Sequence, residues 1–318
     1  MRIATAYREV YELRLNLEDP MNERLRYITD RDRAIFELLA RARWLSTAQI
    51  HRRFFGGRSP NATNKRLRKL VESGCLVIRR PDRTAEAYFR LAGAARMFFD
   101  DAVTIPRRLP RQLNHHRRIN DLRLWFLQQR DEHGLLLDYF AAEWELKTVD
   151  HGWTTVPDAV VAAKPAGAAA ANVAVEVDCG TENVSVVTAK LRSYATGQLA
   201  FPFVLIAAPG WRRMRSIVRD LYADGESIGS VFVLDLDRLH DVSIHDQVFI
   251  SMDARQDTSP IVTSMARALG CPDRLSCRQE TSEAVSSAIC DSSDDETRRE
   301  YPKSSKARAR AENDRYSR

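Results

Sequence analysis

The chain has 318 residues, 44% of them apolar, and a formal net charge of +6, enough for two folded units with real cores. No apolar run reaches the roughly 18 residues of a membrane span, and the charged opening MRIATAYREVYELRLNLEDP lacks the apolar core of a signal peptide. Five scattered cysteines (75, 179, 271, 277 and 290) have neither disulfide nor zinc spacing, so the composition predicts a soluble protein of a reducing, cytoplasmic compartment, and its positive balance a polyanionic partner.

Residues 1–27 read as an N-terminal extension and 28–100 as the first folded unit. Thr29 or Asp30 can cap a helix in which Ile35, Leu38, Leu39 and Trp44 make an apolar stripe. Ser46 and Thr47 precede a short helix, AQIHRRFF, ended by Gly56-Gly57. A third helix starts near Ser59-Pro60-Asn61, turns Leu67, Leu70 and Val71 inward and stops at Gly74. Two strand-like pieces follow, Cys75–Arg79 and Ala87–Leu91, joined by the polar turn RRPDRTAE. Three helices and a hairpin predict a winged helix-turn-helix, whose third helix enters the major groove while the hairpin reaches the backbone.

Charge supports that expectation. Between His51 and Arg80 nine Lys and Arg face one acid, Glu72. Asn64, Lys65 and Arg68 fall opposite the apolar stripe, where Asn and Arg can bond adenine and guanine bidentately. Arg66 joins this expected DNA-contacting set, and Lys69, Arg79 and Arg80 are placed at phosphates. The competing readings are a solvated basic face and a protein-binding module.

Residues 101–114 hold two prolines and several arginines without periodicity, a basic linker before a second unit at 115–250. That unit opens with a helix, His115–Arg130, on which the adjacent histidines cannot face one way; His115 is the one that could reach a phosphate or a carboxylate. A strand is expected over Leu135–Leu146, with Glu143 and Glu145 alternating along it, and Glu145 either near the other carboxylates or in a salt bridge. The runs Val156–Ala163 and Asn172–Val177, joined through Lys-Pro-Ala-Gly-Ala, read as a strand hairpin. Asp158 sits on the first run; Glu176 and Asp178 share a face at the end of the second. Carboxylates among Val and Ala are costly unless paired or metal-bound, and three hard oxygen donors converging there suit Mg²⁺ or Mn²⁺. A helix with Lys190 (Asn183–Thr196), a strand (Phe201–Ala208), a helix with a basic outer side (WRRMRSIVRDLYADG) and a last strand (SVFVLDLDRL) complete the unit.

Pro157-Asp158, then Glu176-x-Asp178 closing the next strand, then a helical lysine, resembles the PD-(D/E)xK nuclease fold, and the αβββαβ order of the flanking elements is that fold's core. The wider pattern, a winged-helix segment followed by PDAVV and EVDCGTE with Lys190 and Tyr194 beyond, resembles the plasmid replication-relaxation family over roughly residues 28–240. The resemblance implies an α+β protein, a winged helix-turn-helix domain followed by a PD-(D/E)xK-like domain. It implies work on plasmid or mobile-element DNA, with double-stranded DNA and other replication or relaxation proteins as partners and a homodimer as an option. It places Mg or Mn at Asp158 and Glu176, and a catalytic set of Asp158, Glu176, Asp178 and Lys190. Asp178 stands where the family pattern has lysine, and Lys190 is the candidate replacement. Two alternatives follow: a non-enzymatic regulator or relaxation accessory with an inactive domain, and a restriction-like defence nuclease. No GxxxxGK[ST] loop or GxSxG elbow is present.

Residues 251–318 are expected to be linker and tail. From Cys271 onward ten basic and ten acidic residues stand among few large apolar ones, a composition that predicts disorder.

Overall fold

The computed structural model describes residues 27–99, 103–148, 153, 155–164, 171–196, 201–221, 223, 230–251 and 261–269. The N-terminal extension before Tyr27, the connection between the two hairpin runs and the tail from Cys271 lie outside these residues. The protein is α+β, and the described residues form one three-stranded and one seven-stranded sheet.

The first part begins with α1 (Asp30–Ala42), capped as expected by Thr29 in a reciprocal box with Asp32. The helix ends at Ala42, where Arg43 turns the backbone to φ 63°, so Trp44 belongs to the following loop and not to the helical stripe. Next come β1 (Leu45–Ser46) and α2 (Thr47–Phe54), with Ser46 as the cap of α2. Ser59 caps α3 (Pro60–Glu72), and Pro60 takes the first turn, where a missing N–H costs nothing. β2 (Leu76–Arg79) and β3 (Tyr88–Leu91) then pair antiparallel, Leu76 against Leu91 and Arg79 against Tyr88. The two-residue β1 joins the far side of β3, a third strand too short for its pattern to register in the sequence. Ile35, Phe36, Leu39, Leu67, Leu70 and Phe89 fill the core between helices and sheet. Each such side chain stabilises the fold by about 1.5–3 kcal/mol relative to leaving it in water.

The second part is built on α4 (Leu113–His133), which starts inside the expected linker and ends at Gly134, whose φ of 67° is the left-handed position glycine fills without strain. β4 (Leu136–Ala142) follows, and the expected long strand stops there: Glu143–Leu146 is a helical turn, α5. The Glu145 carboxylate accepts from the Ala142 N–H and folds the chain back on itself. β5 (Ala159–Lys164) and β6 (Ala171–Val177) form the expected antiparallel hairpin. Beyond them lie α6 (Val184–Thr196), β7 (Phe203–Ala208), α7 (Trp211–Leu221), β8 (Ser230–Asp235), β9 (Gln247–Ser251), β10 (Ile261–Ser264) and a last turn of helix, α8 (Met265–Ala268). The strand order is β10-β9-β8-β7-β6-β5-β4, with β6, β7 and β8 parallel and the other neighbours antiparallel. β10 falls in the stretch expected to be linker; it pairs with β9, and Met265 and Leu269 after it are buried in the sheet's core.

Side-chain alternation assigns the faces. Val173, Val175 and Val177 pack with Ile119, Leu122, Trp125 and Phe126 of α4 on one side. The residues between them, Ala174 and Glu176, face α6 and α7, whose Val187, Leu191, Met214 and Ile217 are buried.

The two parts share α4. Its Leu124 is buried in the core of the first part, while Trp125 and Phe126 belong to the second. The Asn120 amide donates to the Ala42 and Trp44 carbonyls at 3.1 and 3.0 Å. Gln49 accepts from the Ser46 N–H with its oxygen and donates to Asp121 with its nitrogen, capping α2 and docking α4 with one side chain. The Trp144 indole donates to the Arg41 carbonyl. Buried polar groups paired in this way fix one relative placement of the two parts, because sliding would leave donors unsatisfied in a dry joint.

Candidate nucleic-acid interface and carboxylate site

On α3 the residues with the apolar stripe, Thr63, Leu67 and Leu70, are buried, and Asn64, Lys65, Arg68 and Lys69 are exposed on the other side. Arg79 and Arg80 are exposed on the hairpin, bonded only to backbone carbonyls of Ile78 and Ala85. None of these cations forms an ion pair among the described residues. Arg66 differs from its neighbours. Its guanidinium forms an ion pair with Asp32, which has no exposed surface, and donates to the Tyr27 carbonyl. Arg66 and the Thr29 hydrogen bonds hold the Asp32 carboxyl below its usual range against the upward push of burial. Arg66 therefore ties α3 to the start of α1 and is not part of the exposed array.

The carboxylates lie at the carboxyl end of β6. Asp158 stands one step before Ala159, which pairs with Val175, so the register sets Asp158 across from Glu176. Its carboxylate accepts from the Val177 N–H at 2.7 Å and bonds the His115 Nε2 at 3.0 Å. Burial pulls the His115 imidazole down, but the hydrogen bonds to Asp158 and Cys179 outweigh it and raise the pKa to about 10. His115 thus does reach a carboxylate. His116, about 100° further round α4, is buried against Trp144 with ring centroids 4.3 Å apart, and burial lowers its pKa to about 4.

Glu176 is 3% exposed. Lys190 donates to its Oε1 and the Tyr194 hydroxyl to its Oε2, both at 2.8 Å. Lys190 and Tyr194 are four residues apart on α6, the spacing that puts two side chains on one helix face. Burial and the neighbouring Asp158 charge push Glu176 up to about 7, against the pull of Lys190. Lys190 also donates to Glu182, and these two carboxylates raise its pKa despite burial.

Asp178 shares the strand face of Glu176 but turns to another helix. Arg213 of α7 donates to its carboxylate and to the Glu182 carbonyl, and the Gly180 N–H donates to it at 2.8 Å. Gly180 has φ 77°, and a Cβ there would sit 3.5 Å from Pro209, so the loops after β6 and β7 meet at this point. The three carboxylates expected to converge are divided: Asp158 and Glu176 are cross-strand neighbours, while Asp178 belongs to Arg213. Among the described residues no three His, Cys, Asp or Glu side chains form a metal-holding group. Glu145 is in a salt bridge with Arg123 and Arg41.

The only sign in the sequence that the Tyr194 hydroxyl meets Glu176 is its place four residues after Lys190. Arg213 was read only as part of a basic helix side, and nothing in its spacing marks Asp178 as its partner.

A basic three-helix unit joined to a mixed sheet with carboxylates at the end of an interior strand defines a protein with two distinct charged sites. The chain belongs to the replication-relaxation family, whose model matches residues 36–197, about half of the chain. That span runs from within α1 to the end of α6 and includes the exposed array of α3, Asp158, Glu176 and Lys190. Membership supports a role in replication or relaxation of plasmid or mobile-element DNA. No curated protein and no solved structure matches the chain. Among the described residues no helix is long and apolar enough to cross a membrane.

Proposed function

We propose that this protein binds duplex DNA in plasmid or mobile-element replication or relaxation. In this reading the three-helix part acts as a winged helix-turn-helix and the seven-stranded part as a PD-(D/E)xK-like domain. The observation that carries the proposal is the exposed array of Lys65, Arg68, Lys69, Arg79 and Arg80, cations that form no ion pair among the described residues, beside an Arg66 that is paired inside the fold. Like charges held side by side repel, and a polyanion relieves that repulsion while releasing its own counterions. Asn64, Lys65 and Arg68 are the base readers; Lys69, Arg79 and Arg80 contact phosphates. The order α4-β4-β5-β6-α6-β7, interrupted only by the one-turn α5 before β5, with an antiparallel hairpin leading into parallel strands, supports the nuclease-like reading of the second part.

Asp158 and Glu176 fit a hard divalent cation. Mg²⁺ needs only one or two carboxylates when water and phosphate oxygens supply the remaining ligands, and the charge of Asp158 that raises Glu176 is a repulsion such an ion removes. When bound, the ion would supply charge neutralisation at the scissile phosphate and a more acidic water. Lys190 places a cation next to Glu176 that stabilises charge developing on the phosphate. Tyr194 fixes the Glu176 carboxylate, and His115 with the Val177 N–H fixes that of Asp158. The second reading is a non-enzymatic accessory. It is favoured by the fact that every oxygen of Asp158 and Glu176 already accepts a hydrogen bond from the protein.

Gel-shift titrations and melting curves on the full chain test both parts. Arg68→Ala is expected to weaken binding to the preferred duplex site by about 1–3 kcal/mol. Absence of duplex binding by the wild type at low salt would sink the first proposal. Mg²⁺ or Mn²⁺ at a hundredfold excess over Kd is expected to add about 2.7 kcal/mol of stability, and Asp158→Ala to abolish that gain. A wild-type melting curve unmoved by either ion decides for the accessory reading.

A further inference from the structure

The helix α7 carries a charged surface that lies beyond the family-matched span and that neither site uses. Trp211 opens the helix and is 41% exposed, and Arg212, Arg215 and Arg219 are exposed along the same helix. Trp211, Arg215 and Arg219 recur every four residues, a single stripe that advances about 6 Å per step. No ion pair among the described residues involves the three arginines. The single acid of α7, Asp220, accepts a hydrogen bond from the buried Thr188 hydroxyl and faces away from them. No ring or guanidinium among the described residues stacks on Trp211. Arg213, between them in sequence, is the one arginine turned inward, to Asp178.

We propose that this face is a second nucleic-acid site, one that takes a single strand. Three exposed arginines without an ion pair among the described residues, Arg215 and Arg219 on the stripe and Arg212 beside it, match a phosphate backbone. The indole decides which kind of strand: bases in a duplex are stacked on each other, and only an unpaired base can offer its face to an exposed ring. Position supports the same conclusion. Trp211 follows Pro209-Gly210 at the carboxyl end of β7, where β6, β7 and β8 run parallel, and ligands of open sheets bind at the carboxyl ends of parallel strands. The loop after β7 touches the loop that holds Asp178 and Gly180. A strand lying along α7 with a base on Trp211 therefore reaches the edge of the carboxylate site. Strand opening is inherent to replication and relaxation, and α7 would hold the strand thus exposed while α3 stays on the duplex. The surface stands on the residues of α7 alone and does not depend on cleavage.

The test uses the full chain and a short oligo-dT. Of the five tryptophans, Trp44, Trp125 and Trp144 are buried and Trp153 is half-buried against Phe201, so the part of the oligo-dT quenching that Trp211→Phe removes reports Trp211. Trp211→Phe is expected to remove most of the quenching, and Trp211→Ala to weaken oligo-dT binding about tenfold, the loss of one stacked base. Replacing Arg212, Arg215 and Arg219 together by Gln is expected to lower the salt slope of oligo-dT binding by about 2, from roughly 0.7 per phosphate contact, with affinity for the duplex site unchanged. Quenching that survives Trp211→Phe, or unchanged oligo-dT binding by the triple Gln variant, overturns the proposal. So does an equal loss of single-strand and duplex binding in that variant, which would make α7 a duplex contact. Failure of the wild type to bind duplex would count against the function of α3 and leave the α7 result to stand by itself.

Discussion

The exposed face of α3 and the carboxylate site handle charge in opposite ways. On α3, Lys65, Arg68 and Lys69 stand in water and form no ion pair among the described residues, although Glu72 lies one turn beyond Arg68. At the end of β6 every charge is held by the protein: Glu176 by Lys190 and Tyr194, Asp158 by His115, Asp178 by Arg213. The difference separates what a charge does for the fold from what it offers a partner. A buried pair contributes to stability only as a pair, since removing one member leaves the other desolvated and alone. An exposed cation contributes almost nothing to stability and is available for binding.

The sharpest test sets two neighbours on α3 against each other. Arg66→Met leaves Asp32 buried without its cation and is expected to destabilise the protein by about 3–4 kcal/mol in urea unfolding. Lys65→Ala, one residue away, should stay within about 0.5 kcal/mol. Equal effects would break the distinction. A slightly smaller effect is expected from pH. The His116 imidazole, buried against Trp144, has its pKa lowered from 6.5 to about 4. A folded-state pKa below the unfolded value means that the unfolded chain binds the proton first. Stability is therefore intact above about pH 6.5 and falls as pH drops toward 4, by about 3 kcal/mol for this group. His116→Phe should flatten that part of the profile; an unchanged acid limb would show that the joint does not sense the proton. Smaller still is Lys190→Met, expected to cost about 2 kcal/mol because Lys190 is partly exposed and Tyr194 remains on Glu176. Adding Glu176→Gln should recover part of the loss, and strict additivity of the two changes would show that the pair is not coupled.

Local chemistry explains what the sequence made legible. The caps Thr29, Ser46 and Ser59 and the apolar spacing behind them locate α1, α2 and α3 because caps and periodicity act within a few residues. The cross-strand position of Asp158 and Glu176 follows from alternation and a hairpin, so it too was readable. β1 was not, since two residues carry no period. The strand expected to run to Leu146 stops at Ala142 because Glu145 bonds back to that residue, a choice made by one side chain against the propensity of the whole run. The division of the carboxylates was hidden for another reason. Glu176 and Asp178 do share a face, but which helix covers which residue depends on how α6 and α7 lie across the sheet. Arg66 was placed with the DNA contacts for lack of any local sign of Asp32, thirty-four residues earlier in the chain.

α4 supplies Leu124 to one core, Trp125 and Phe126 to the other, and His115 to Asp158. The three-helix part is thus not an interchangeable cassette. A graft of residues 28–100 onto another protein would arrive without the side chain that completes its interior and with Gln49 lacking Asp121. Under the proposed function, new sequence preference is more readily obtained by changing Asn64, Lys65 and Arg68 in place than by swapping the whole unit. Changes on the joint-facing side of α4 would be felt at both ends of the molecule.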